Sequence, residues 1–156
     1  MSTSAESRRT RRPEHTLLRP TLLGLLRLRW LNQMSRADTE VPWRGKRIDL
    51  AFLSPQPEIG AVAIELKVDG TGRAITQAAL NRYVTDSSWV ATWTSPSRRL
   101  LDHAAVEGVG MLLIASRGVY PLLYPRRGAP HTDALSEYLS ACPSRVRDLL
   151  SELRHG

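Results

Sequence analysis

Residues 47–83 read RIDLAFLSPQPEIGAVAIELKVDGTGRAITQAALNRY, and this stretch places ionisable groups where a sheet should be apolar. In RIDLAFL, Ile48, Leu50 and Phe52 alternate with Arg47, Asp49 and Ala51. In AVAIELKV, Val62, Ile64, Leu66 and Val68 alternate with Ala61, Ala63, Glu65 and Lys67. A period of two identifies both as strands with their branched and aromatic residues on one face. Asp49 then falls on the opposite face of its strand, and Glu65 and Lys67 point the same way as each other. The linker SPQPEIG holds two prolines and a glycine, which suits a hairpin-type connection that sets the strands side by side. Small Ala51, Ala61 and Ala63 leave room around the charges.

Carboxylates and lysine are depleted in strands, and burying them unpaired is costly, so a cluster of Asp, Glu and Lys on one sheet face needs a cause. One reading is a solvated face of a half-exposed sheet. The other is a hard-cation site, in which two carboxylates on adjacent strands hold Mg²⁺ while it keeps waters and a substrate phosphate. Lys67 would add a positive charge there, able to orient the attacking water and offset charge growing on the scissile phosphate.

Asp49, then Glu65-Leu66-Lys67 after a hairpin-length gap, then a helix bearing Gln77, resembles the PD-(D/E)XK nuclease superfamily. The resemblance spans roughly residues 20–94. It implies a restriction-endonuclease-like α/β fold with a mixed central sheet flanked by helices. It further implies that Asp49 and Glu65 ligate Mg²⁺ or Mn²⁺ together with the carbonyl of Leu66, that Lys67 serves the hydrolytic water, and that Gln77 assists. The proline that often precedes the Asp is Ile48 here. The exonuclease-like branch carries Gln followed four residues later by Tyr; that place is Asn81, and the nearby tyrosine is Tyr83, which is therefore not carried over.

The chain has 156 residues, a formal net charge of +7 and a pI near 10.5. That length suits one domain, and the charge favours a polyanionic partner such as DNA. Residues 1–15, MSTSAESRRTRRPEH, are expected to form a disordered basic arm, with the nuclease-like domain over 16–156. Arg8, Arg9, Arg11 and Arg12 of the arm, with Arg47 and Arg73 of the domain, are candidates for nucleic-acid contact; for the arm, a solubilising tail is the alternative. The most apolar stretch, TLLGLLRLRWL, is interrupted by Arg27 and Arg29, so no membrane span is expected and a cytoplasmic location is. The single cysteine, Cys142, excludes an internal disulfide.

Elsewhere, a helix is expected from Pro20 to about Asn32, packing through Leu22, Leu23, Leu26 and Trp30. Residues 33–46 read as irregular, with a short strand near Val41. Glu40 is weighed as a further site acid, although no spacing argument places it. The VDGTG turn leads to a helix from about Arg73 to Tyr83, on which Arg73, Gln77, Leu80, Asn81 and Val84 share a side. SSWVATW reads as a buried strand, with Trp89 and Trp93 facing one layer. A helix from Pro96 to Glu107 capped by Ser95 follows, then an extra hairpin, GMLLIAS and GVYPLLYP, and two C-terminal helices split by Pro143 with Ser144 as a cap.

The reading that results is a metal-dependent deoxyribonuclease, endonucleolytic rather than exonucleolytic. Its alternative is a non-catalytic nucleic-acid-binding module within a larger assembly. A homodimer would suit cleavage of both strands of a duplex.

Overall fold

The computed structural model describes residues 16–68, 72–128, 130–142 and 145–155. The basic arm with Arg8, Arg9, Arg11 and Arg12, the Asp69–Thr71 part of the turn and the Pro143-Ser144 cap lie outside them. Six strands form one mixed sheet in the order β1 to β6: β1 Arg36–Trp43, β2 Lys46–Leu53, β3 Ala61–Lys67, β4 Ser87–Thr92, β5 Gly110–Ala115 and β6 Gly118–Leu123. Pairing is antiparallel from β1 to β3, parallel from β3 to β5, and antiparallel again at β6. Among the described residues, five helices flank it: α1 Leu18–Arg27, α2 Gly72–Asn81, α3 Arg98–Glu107, α4 Ala134–Ala141 and α5 Val146–His155. The architecture is the restriction-endonuclease-like α/β fold, extended by the β5–β6 hairpin and the C-terminal helices.

One face of the sheet packs Leu50, Phe52, Val62, Ile64, Leu66 and Trp89 against α1 and α5. The other packs Val90 and Met111 against Ala74, Ile75 and Ala78 of α2 and Ala104 of α3. This two-sided cover is why β3 and β4, central and parallel, are buried along nearly their whole length. Ser88 Oγ donates to the Ala78 carbonyl at 2.6 Å and ties β4 to α2.

Several local expectations are corrected. Residues 33–46 are not irregular: RADTEVPW is the eight-residue edge strand β1, whose Pro42 is tolerated because an edge strand has one unpaired side. Its polar composition hid the alternation. Arg44 and Gly45 close the β1–β2 hairpin with φ of 49° and 74°, the two left-handed residues of a type I′ turn. Helix α1 begins two residues before Pro20, which then sits in the first turn where its missing N–H removes no bond. Its buried stripe is Leu18, Thr21, Leu22 and Leu25, whereas Leu23 is exposed. The phase is set by Gly24, on which a Cβ would overlap Val119 of β6. Ser97, rather than Ser95, caps α3 by accepting the Leu100 N–H at 3.2 Å. Trp89 is buried, but Trp93 stands past the end of β4 and is 45% exposed. The chain turns there because Thr92 Oγ1 donates to the Thr94 carbonyl and Thr94 Oγ1 to the Val68 carbonyl.

Candidate active site at the parting of β2 and β3

The β2–β3 ladder stops at Leu50 opposite Ile64. Extending the register would place Asp49 opposite Glu65 and Ile48 opposite Leu66. Instead, Asp49 Oδ2 accepts the Leu66 N–H at 2.8 Å, taking the place of a main-chain carbonyl. The two strands part at this point. A strand residue turns its N–H and C=O toward the same neighbour, so the Leu66 carbonyl faces the gap beside Asp49.

A matching irregularity lies across β2. Glu40 falls opposite Asp49 between the pairs Thr39–Leu50 and Val41–Ile48, and its φ is 55°. Leu50 and Phe52 belong to the core beneath α1 and α5, whereas Ile48 packs with Val41, Ala51, Ala63 and Val84 beside α4. The expectation that Ile48, Leu50 and Phe52 share one face is therefore corrected: the β1–β2 ribbon turns over at Glu40 and Asp49.

Glu65 is 3% exposed. Burial, and after it the negative charge of Asp49, push its carboxyl from the usual range up to about 8. A hydrogen bond between the Glu65 and Asp49 carboxyls acts in the same direction, while the Asn81 amide and the Lys67 charge oppose the rise. At neutral pH the pair thus holds a proton. Asn81 Nδ2 donates to Glu65 Oε1 at 2.9 Å, and Asn81 Oδ1 is buried with no hydrogen-bond partner. Lys67, two residues along β3 on the face of Glu65, is half-buried at the strand end.

Asp49, Glu65, Leu66 and Lys67 are thus brought together. Gln77 lies one turn before Asn81 on α2, half-buried, but it is Asn81 that bonds Glu65. Sequence reasoning singled out Gln77 and missed Asn81, although the i, i+4 spacing put both on one helix side. Arg73 is exposed in the first turn of α2. Arg47 is also exposed, and its Nη1 lies 3.2 Å from Glu40 Oε2, so Glu40 is held by Arg47 rather than joined to the carboxylate pair. Among the described residues there is no group of three or more His, Cys, Asp or Glu side chains that could hold a metal. What the site offers a cation is two carboxylates and a carbonyl.

No family model and no curated protein matches this chain by sequence. Among solved structures, the chain is similar to the SPO1766 protein of unknown function from Silicibacter pomeroyi, with a TM-score of 0.57 and 18% identity over 89% of this chain and 84% of that one. That likeness concerns the fold. A second similarity, to Pyrococcus furiosus SfsA in complex with Ca²⁺, has a TM-score of 0.38 and 12% identity over 71% of this chain and 64% of the other. No helix among the described residues is long and apolar enough to cross a membrane.

Proposed function

We propose that this protein is a metal-dependent nuclease of the PD-(D/E)XK type that hydrolyses DNA phosphodiester bonds, acting endonucleolytically. The observation that carries the reading is the buried Glu65 carboxyl facing Asp49 where β2 and β3 part, with Lys67 on the same side. A solvated sheet face does not account for this, because Glu65 is withdrawn from water and retains a proton near neutrality.

The donor set fits a hard divalent cation such as Mg²⁺ or Mn²⁺. Asp49, Glu65 and the Leu66 carbonyl are all oxygen donors, the number and type such an ion takes when it keeps water and phosphate as its remaining ligands. The cation would supply Lewis acidity toward the phosphate and a positive charge to replace the shared proton. The chain's own residues do the remainder. Asn81 holds Glu65 Oε1 so that the carboxylate keeps one orientation as its proton leaves. Leu66 N–H fixes Asp49. Lys67 orients the attacking water and offsets negative charge building on the phosphate. The basic surface attracts the DNA, and a homodimer would present two such sites to the two strands.

The alternative is a nucleic-acid-binding module that has kept the fold without the chemistry. The carboxylate pair argues against it, since two acids repel phosphate and serve no purpose without a cation. The test is a cleavage assay on linear, circular and single-stranded DNA with Mg²⁺, Mn²⁺ or EDTA, run beside Lys67→Ala protein purified identically. Metal-dependent cutting absent from the variant supports the nuclease. Binding without cutting under every condition moves the assignment to the module.

A further inference from the structure

The tip of the β1–β2 hairpin reads Trp43-Arg44-Gly45-Lys46, and three features single it out. First, β2 runs antiparallel to β3, so this tip projects from the same end of the sheet as Lys67 and the Asp49–Glu65 opening. Second, Arg44 occupies a left-handed turn position that favours Asn, Asp or Gly, so an Arg there is conformationally costly and unexplained by the turn itself. Third, its guanidinium is held by rings from separate parts of the chain. It lies 5.4 Å from the Trp43 ring centroid and 6.0 Å from that of Tyr83. Tyr83 in turn stacks on His131, with centroids 5.1 Å apart and an interplanar angle of 29°, and the His131 N–H donates to the Tyr83 carbonyl at 2.8 Å.

The result is a row of planar groups, Trp43, Arg44, Tyr83 and His131, built from the hairpin, the exit of α2 and the approach to α4. Tyr83 reaches it because α2 ends in a tightened turn, with the Arg82, Tyr83 and Val84 N–H groups bonded three residues back. Arg47 beside the tip is neutralised by Glu40. Arg44 and Lys46 are exposed, and no carboxylate among the described residues pairs with either. An arginine whose guanidinium rests over rings is preorganised while its N–H groups stay available to a ligand, a form in which guanidinium binds phosphate bidentately at low entropic cost.

We propose that this hairpin tip is a phosphate clamp for the DNA strand on the β1 side of the active site, with Arg44 and Lys46 binding the backbone and Trp43 and Tyr83 positioning Arg44. The choice of DNA as ligand rests on the nuclease reading. Five residue steps at about 3.3 Å each carry the backbone from Arg44 to Asp49, a span of at most about 17 Å between the two Cα atoms. The clamp therefore engages the same stretch of backbone as the active site, a few nucleotides from the scissile phosphate at about 3.4 Å per nucleotide of a B-form strand.

The experiment is fluorescence anisotropy with labelled mixed-sequence DNA oligonucleotides in EDTA over a range of salt, so that cleavage plays no part. The proteins are wild type, Arg44→Gly, Arg44→Lys, Lys46→Ala, Tyr83→Phe and Tyr83→Ala. Arg44→Gly removes the guanidinium and suits the turn, so it does not threaten folding. It is expected to weaken binding at least about fivefold at 0.1 M salt and to lower the slope of log K against log salt by about 1. Arg44→Lys should recover only part of the loss. Tyr83→Phe should bind as wild type, because the stack needs the ring and not the hydroxyl, whereas Tyr83→Ala should approach Arg44→Gly. Wild-type binding and slope in Arg44→Gly would overturn the clamp and leave the nuclease standing on its cleavage assay. Failure of the wild-type protein to bind DNA would overturn it as well. Intact clamp behaviour in a protein that never cuts would overturn the nuclease alone.

Discussion

Asn81 sets its amide nitrogen 2.9 Å from Oε1 of Glu65, and both side chains are buried. This bond favours the ionised form of Glu65 against burial and the charge of Asp49, both of which favour the protonated one. Together with the Lys67 charge, it offsets part of the cost of a carboxylate in an otherwise dry place.

Asn81→Ala is therefore expected to raise the Glu65 carboxyl further and to weaken Mg²⁺ or Mn²⁺ binding about tenfold or more, as loss of a hydrogen bond to a charged group of about 1.5–3 kcal/mol implies. Titrations of metal-dependent thermal stabilisation would measure it. An unchanged metal midpoint would remove Asn81 from the site.

Stability in EDTA should fall with pH across the range between the ordinary Glu value of 4.5 and about 8. The sign follows from linkage: the folded protein holds the Glu65 proton more tightly than the unfolded chain, so the contribution is fully present below the unfolded value and is lost as pH rises through the folded one. Glu65→Gln, which mimics the protonated group, should melt above wild type at pH 8 and higher and lack this part of the pH dependence. A flat wild-type profile between pH 5 and 9 would contradict the assignment.

In the proposed reading a cation displaces that proton, so metal affinity should climb with pH up to about 8 and level off above it. Thermal stabilisation by Mn²⁺ at fixed concentration, read from pH 6 to 9, would follow this rise in wild type. Glu65→Gln should show little stabilisation at any pH.

Lys67→Ala should lower the cleavage rate far more than it alters the metal midpoint, since in the proposed role the ammonium acts on water and phosphate rather than as a ligand. Single-turnover cleavage beside a metal titration separates the two. Loss of metal binding instead would make Lys67 a structural partner of the carboxylates.

The packing phase of α1 has its own test. Leu22→Ala should cost about 2–5 kcal/mol, as a wholly buried leucine does, and Leu23→Ala less than about 0.5 kcal/mol. Gly24→Ala should destabilise by about 1–3 kcal/mol because its methyl meets Val119. Denaturant melts of the three variants would rank them.

Much of this molecule was legible in its sequence. Period-two alternation marked β2 and β3, their polar positions marked Asp49, Glu65 and Lys67, and turn residues marked the β2–β3 and β5–β6 hairpins and the crossover through α2. These are local signals, carried by residues near one another in the chain and read through a strand or helix period. What only the tertiary structure decided depends on which surfaces meet. Gly24 chose the buried side of α1 because Val119 lies against it, and nothing in the helix's own pattern separated Leu22 from Leu23. The turning-over of β1 and β2 at Glu40 and Asp49 moved Ile48 to the other layer, since alternation survives only while the backbone stays extended. Asn81 took the place expected for Gln77 because the crossing of α2 over β3, rather than the helix period, determines which turn lies above Glu65. The ring-held Arg44 was invisible for the same reason: Trp43, Tyr83 and His131 come from segments that only folding brings together.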